Sequence, residues 1–416
     1  KISKKNKYCL YSVLSNFRVH QNKYTDYQYG NFGLKVKKNN KKFYFIDLQE
    51  NFNLLKNYKK IKFNLNRTSQ EYVIDQHYLS LSEIFKIYFF SLKSFFKTLF
   101  LLRKKNYFFL NNKDCSVILK YKLLESFSGS IQDQLLRGLA IKNYFKNNKC
   151  KNFITYLEFL SRSRAIYFFA RKAKFKNIIS IQHGSSYENF LPLNLNIKDF
   201  SNKKKISFCS PRPDFIFCQG KKYYNKMIKI FSKKNVNMIG SLKIELNERI
   251  RRSKIKKNNS KRKILIISGI SDYASIFEIL NKSELSTYDI FLSTHPVTSS
   301  NCTKLYKENF NYNFTQVSSN FYKKLSENDV VIFGESSLGI ELTIQNYNTI
   351  RVFDKKFIPC FDISQEIRTA LNERMLHKFL KKNNISNKDK LKTNYFFKYD
   401  GRATEYLNRK LKKINR

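Results

Sequence analysis

Several things are scarce in this chain, and each scarcity removes a class of explanation. The seven cysteines (Cys9, Cys115, Cys150, Cys209, Cys218, Cys302 and Cys360) form no CxxC pair. Neither a disulfide framework nor a zinc site is indicated, and a reducing cytoplasm is the simplest compartment. The five histidines show no HxxxH or HExxH spacing, which argues against a dedicated metal site. No cofactor is expected. Acidic residues number 31 against 80 Lys and Arg, and Trp is absent. There is no internal repeat beyond a βα rhythm, no low-complexity tract and no signal-peptide pattern. The chain starts at Lys1 rather than Met, so an N-terminal piece is expected to be missing.

A charge of +49 points to an anionic partner. Much of it has a blander origin. Lys far outnumbers Arg, and Asn, Ile, Phe and Tyr abound, the mixture that an AT-rich genome writes onto a surface. The basic residues are spread along the chain with no nucleic-acid-binding motif, which disfavours nucleic acid as the partner. With 416 residues, 42% hydrophobic, 39 Phe and 27 Tyr, the chain can build two or three cored domains.

Residues 1–80 are hard to parse; Phe43–Ile46 and Ile61–Leu65 are the strand candidates. The most apolar stretch, 84–102, carries Lys86, Lys93 and Lys97 on one helical face. Three lysines in 19 residues argue against a spanning helix. Two readings stay open: a basic amphipathic helix in a membrane interface, or a helix packed in the core with solvated lysines.

From 131 onward, strand-like and helical runs alternate. Strands are expected at 153–157, 178–181, 214–218 and 236–239, with helices at 131–146, 163–174 and 221–232. A second series has strands at 264–267, 288–293, 314–317, 330–333 and 350–353, with helices at 272–282, 321–327 and 336–346. Alternation at this spacing predicts two parallel α/β sheets. The expected domains are 1–245, a charged linker 246–262, a second α/β domain 263–372, and basic helices over 373–416.

The chemistry-bearing residues fall just past strand ends, where open α/β sheets bind ligands. Ser336 and Ser337 open a helix, whose free N–H groups and dipole suit phosphate; an ordinary serine cap has the same pattern. Glu341 lies one turn on, where a carboxylate can accept from a ribose diol. His295-Pro296 follows a strand, and its imidazole can donate to a phosphate or protonate a leaving oxygen. Ser268 and Gly269 follow the second domain's first strand and can approach a ligand through backbone N–H groups. In the first half, Glu158 and His183 follow strands at the crevice end of their sheet, and Glu158 is a candidate general base or nucleophile-assisting carboxylate. Arg162, Arg164 and Gln182 lie beside them and suit an anionic acceptor or a sugar carboxylate.

Taken together, His295-Pro296, Ser336-Ser337 and the run Glu335–Leu342 resemble the HP motif, the SS motif and the nucleotide-gripping helix of GT-B glycosyltransferases that use CMP-activated acidic sugars, the bacterial sialyl- and Kdo-transferase type. Leu157-Glu158-Phe159, Ile181–Gly184, Pro213-Asp214, Gln219-Gly220 and Ile239–Ser241 are similar to the first half of such surface-polysaccharide enzymes. The acidic D/E-D/E-G motif of the sialyltransferases is absent. The His-Gly at 183–184 and the late Ser-Ser also resemble CDP-glycerol glycerophosphotransferases, in which that histidine is the base.

The resemblance implies two Rossmann-like domains facing across a cleft. It also implies a metal-independent transferase at the inner face of the plasma membrane. The donor would be a CMP-sugar, the acceptor a lipid-linked glycan and the supporting surface an anionic membrane. Ser268, Gly269, His295, Pro296, Ser336, Ser337 and Glu341 would hold the donor. Glu158, His183 and His295 would carry the chemistry, and Arg162, Arg164 and Gln182 the acceptor or sugar carboxylate.

Overall fold

A computed structural model describes residues 8–20, 22–34, 42–47, 59, 62–68, 70–104, 109–110, 113–114, 116–125, 127, 129–156, 161–182, 211–248, 261–269, 272–295, 300–345, 347–354, 367–381, 398 and 400–415. They form two parallel sheets. The first contains β1 (Tyr8–Val13), β2 (Lys42–Asp47), β3 (Glu71–Ile74), β4 (Asn152–Thr155), β5 (Asn177–Ile181), β6 (Phe215–Cys218) and β7 (Val236–Met238). Its spatial order is β7-β6-β5-β4-β1-β2-β3. The second contains β8 (Lys263–Ile267), β9 (Asp289–Ser293), β10 (Thr315–Gln316), β11 (Val330–Phe333), β12 (Thr349–Val352) and β13 (Thr369–Ala370), in the order β10-β9-β8-β11-β12-β13. Both sheets therefore run outward in two directions from their first strand, the doubly wound Rossmann order. Each has its switch point where the first and fourth strands pair, β1 beside β4 and β8 beside β11.

The strands form where apolar runs are buried on both faces. In the second sheet, Ile264, Ile266, Val330, Ile332, Ile350 and Val352 belong to one core cluster. Their neighbours Leu265, Ile267, Val331 and Phe333 belong to the cluster on the opposite face. The alternation is the two-residue period of a strand.

Among the described residues the helices of seven residues or more are α1 (Leu81–Lys104), α2 (Ser116–Glu125), α3 (Ser130–Asn147), α4 (Ser161–Lys172), α5 (Lys221–Met227), α6 (Leu242–Glu248), α7 (Tyr273–Leu280), α8 (Ser300–Asn309), α9 (Ser337–Ile344), α10 (Glu373–Lys381) and α11 (Ala403–Asn415). Gly339 lets α9 lie close on β11, because a Cβ there would stand 2.1 Å from the Phe333 ring.

Some expectations change. Ile61–Leu65 is no strand; residues 62–66 are helical, and the third strand of that edge is Glu71–Ile74. The expected helix at 321–327 is a 3-10 segment, Ser319–Lys324. The reading of 84–102 as a helix packed in the core is overturned: α1 buries Ser91 and Leu102, yet Phe85 and Phe89 are each 72% exposed.

Helix α6 straddles the boundary expected at 245/246, and it is the joint of the molecule. Leu242 packs into the core of the first sheet, and Ile244 into a core cluster of the second. Between them, Lys243 Nζ meets Glu341 Oε1 of α9 at 2.8 Å. Next, Glu245 accepts from the Thr404 N–H at 2.8 Å and its hydroxyl at 2.7 Å, capping α11. Consecutive helical residues point about 100° apart, so four neighbours reach four structures. The chain end divides between the domains. Leu376 and Leu380 of α10 join the second core, while Ala403, Leu407 and Leu411 of α11 join the first.

Candidate active site

The second sheet's switch point gathers the predicted donor residues. β8 ends into Ser268-Gly269, and the neighbouring β11 ends into Gly334-Glu335-Ser336 and α9. A buried carboxylate fastens these two turns together. Asp272 accepts from the Gly269 N–H through Oδ1 at 2.6 Å and from the Glu335 N–H through Oδ2 at 2.5 Å. Burial pushes its carboxyl up to about 6, against the pull of those two N–H donors. Gly334 is required here, since a Cβ would come within 2.3 Å of Asp272 Oδ2. The Gly269 N–H is thus engaged with Asp272 instead of facing a ligand.

Ser336 is the N-cap of α9, and its side chain makes no capping hydrogen bond. The first-turn N–H groups have no intrahelical acceptor. Ser268 is buried, and its hydroxyl oxygen has no partner among the described residues. One turn into α9, Glu341 is 4% exposed; Oε1 meets Lys243, and Oε2 is buried without a hydrogen-bond partner among the described residues. Burial alone would depress the Lys243 ammonium. The Glu341 carboxylate and the Tyr27 phenol more than offset this, and Lys243 is held well above its ordinary value. His295 lies two residues past the end of β9, and burial and then the Lys243 charge hold its imidazole below the usual histidine value.

Across the joint, the first sheet also ends in a polar layer. Asp26 is fully buried, bonded by the Ser12 hydroxyl and by the Gln28 N–H at 2.8 Å. Burial raises its carboxyl to about 7, against those hydrogen bonds. Tyr156 accepts from the Val13 N–H at 2.9 Å, and Asp47 pairs with Arg137 in the core. Tyr27, next to Asp26, places its ring 5.4 Å from Lys243 Nζ.

Of the acceptor-side residues, Gln182 is buried and joins β5 to β6. Its side-chain oxygen accepts from the Gln219 N–H at 2.7 Å, and its carbonyl accepts from the Gln219 side chain at 2.5 Å. Arg162 and Arg164 lie half-buried on the first two turns of α4. Glu158, His183 and Pro296 lie outside the described residues. Among the described residues no group of three His, Cys, Asp or Glu is placed to hold a metal ion. The sequence reading missed Lys243, Asp272 and Asp26. Lys243 is one of 80 basic residues, and only its contact with Glu341 distinguishes it.

No family model and no curated protein matches the chain. Solved structures do. UDP-bound MnaA of S. aureus aligns with a TM-score of 0.56 at 11% identity, over 99% of this chain and 97% of its own. The fold is GT-B. The UDP-GlcNAc 2-epimerase of Neisseria meningitidis, bound to UDP-GlcNAc, gives 0.51 at 10% identity over 98% and 100% of the two chains. A variant of the wall teichoic acid polymerase TagF with CDPG gives 0.50 at 12% identity over 99% and 89%. These GT-B structures are enzymes, two of them solved with a nucleotide-activated compound.

Proposed function

We propose that the protein is a GT-B transferase moving an acidic sugar, of sialic acid or Kdo type, from a CMP-sugar to a lipid-linked surface glycan. The observation that carries the donor site is Glu341. A nearly buried carboxylate with one oxygen lacking a partner among the described residues sits one turn inside a helix whose serine cap makes no side-chain capping bond. Phosphate on the helix start and a ribose diol on the carboxylate would satisfy both. In this reading Ser336 and Ser337 hold the phosphate, Glu341 the ribose, and the turn at Ser268 lies against the donor. His295 donates a hydrogen bond to the leaving phosphate. Glu158 and His183 serve the acceptor hydroxyl or the anomeric centre, and Arg162 and Arg164 an anionic group. Fixing donor and acceptor in one cleft supplies much of the rate through orientation.

A glycerophosphotransferase using a CDP-alcohol is the second reading. It is favoured by the similarity, along nearly the whole chain, to TagF in a structure containing CDPG. Thermal-shift measurements with CMP, CDP, UDP and GDP test the donor class. A nucleotide at about 100 times its Kd adds roughly 2.7 kcal/mol. CMP or CDP should stabilise the protein and UDP or GDP should not. Preferential stabilisation by UDP overturns the cytidine assignment. Turnover with CMP-sugars against CDP-glycerol separates the two readings.

A further inference from the structure

Helix α1 has two unlike faces. Ser91 and Leu102 are buried, Glu83 accepts from the Asn143 side chain of α3 at 2.9 Å, and Phe95 stacks edge-on against Phe127 with centroids 5.7 Å apart. The outward face is apolar: Leu81, Phe85, Phe89, Leu92, Phe96 and Phe100 are between 54% and 75% exposed. At 3.6 residues per turn these six fall in a stripe roughly 100° wide. Exposed Lys86, Lys93 and Lys97 form a row along one border of that stripe. Helix α2 extends the surface with Val117, Ile118 and Tyr121, which are 82%, 65% and 63% exposed. Between the two helices lies a groove with Leu99, Leu102 and Leu124 along it and Arg103 and Lys120 as its charged members.

A side chain such as Phe carries 150–250 Å², so the outward aromatic and aliphatic groups present on the order of 10³ Å² of apolar surface. The largest patch on an ordinary monomer is about 300–600 Å². This surface is built for an apolar partner, and its charge names the kind. Helices α1 and α2 together carry seven Lys and Arg against two acidic residues, Glu83 and Glu125. Both acids are engaged within the protein, Glu83 by Ser80 and Asn143 and Glu125 by Lys122. A second copy would set one basic row against another. An anionic bilayer meets both features, with acyl chains under the Phe stripe and lipid phosphates along the Lys row. No described helix is long and apolar enough to cross a membrane, so contact is in the plane.

We propose that the α1–α2 surface docks on an anionic lipid bilayer, α1 lying in the interface with Phe85, Phe89 and Phe96 inserted and Lys86, Lys93 and Lys97 at the headgroups. This gives the lipid-linked acceptor its place but stands on its own observations, separate from the donor reading.

The test is co-sedimentation of the full chain with vesicles of phosphatidylcholine, alone or mixed with phosphatidylglycerol. Binding is expected to the mixed vesicles and to weaken with salt. Lys86→Glu, Lys93→Glu and Lys97→Glu together should reduce it roughly a hundredfold or more, each lost basic residue counting for about fivefold. Phe85→Ser, Phe89→Ser and Phe96→Ser together should reduce it at least tenfold. These side chains are exposed, so the fold survives, and an unchanged circular dichroism spectrum and Tm in both variants check this without depending on vesicles or on a nucleotide. Unchanged vesicle binding in either triple variant overturns the proposal. So does a dimer in light scattering that the Phe variant dissolves, or RNA binding that disappears with the Phe stripe while vesicles are ignored.

Discussion

Lys243→Met isolates the contact on which the two domains meet. The substitution keeps the length and apolar stem of the side chain and removes its charge. It leaves Glu341 at 5% side-chain exposure, with Oε1 deprived of its ammonium and Oε2 already without a partner. Removing one member of a buried pair costs about 3–5 kcal/mol, because the remaining charge is stranded. The Lys243 side chain is 20% exposed, so the lower end applies, about 3 kcal/mol. An unfolding entropy of roughly 2.1 cal/mol/K per residue over 416 residues gives about 0.9 kcal/mol/K. The expected fall in Tm is therefore about 3 °C. Adding Glu341→Met should recover most of it, since an apolar pair of similar volume is often as stable as the ion pair it replaces. Differential scanning calorimetry of the two single variants and the double variant completes a mutant cycle. A loss under about 1 °C for Lys243→Met, or a double variant as unstable as that single one, would refute the view that Glu341 depends on Lys243.

Ser336→Ala with Ser337→Ala should weaken nucleotide binding by roughly 1–3 kcal/mol while α9 persists, as titration calorimetry and circular dichroism can establish; normal affinity puts the phosphate elsewhere. Glu158→Gln should abolish transfer and leave nucleotide affinity within about twofold, because a positioned acid or base supplies about 10²–10⁴ in rate; more than about a tenth of native turnover would shift the role to His183. Asp26 has a raised folded value of about 7. Its stabilising share is full below the unfolded value near 4, and it is lost as pH rises through 7, by at most about 4 kcal/mol. Denaturation of Asp26→Asn at pH 5 and pH 8 should therefore show a smaller stability loss with pH than the native chain; an unchanged difference would mean that this carboxyl does not titrate as its burial implies.

The second domain was the more legible in sequence because its strands are short, continuous runs such as Ile264–Ile267 and Val330–Phe333, buried on both faces and bounded by turn residues. The first three strands of the chain were harder. Tyr8–Val13 mixes Tyr, Cys and Ser, and its role as the central strand comes from pairing with Lys42–Asp47 and Asn152–Thr155, distant in sequence. The donor-site candidates were visible because strand ends locate themselves. Lys243 was not, for its partner lies 98 residues away on another domain. Asp272 was passed over because an aspartate after a Gly turn looks like any cap until its two N–H donors, on separate turns, are seen. The Phe stripe of α1 could be traced in sequence, but its direction could not. Periodicity gives the two faces of a helix, and only the packing of α1 on α3 settles which one is left outside.

The return of α11 to the first sheet has a consequence for how the molecule is made. The Asn415 amide donates to the Tyr8 hydroxyl at 2.9 Å, joining groups 407 residues apart, and Leu407 and Leu411 complete a core that begins at Tyr8. Ribosomes add about 5–20 residues per second, so some 20–80 s separate the first strand from the helix that covers it. The second domain has all its strands before α11 is made and can close first, while the first waits with an open flank. A chain cut short before Ala403 would keep the core of the second sheet and strip Leu407 and Leu411 from that of the first.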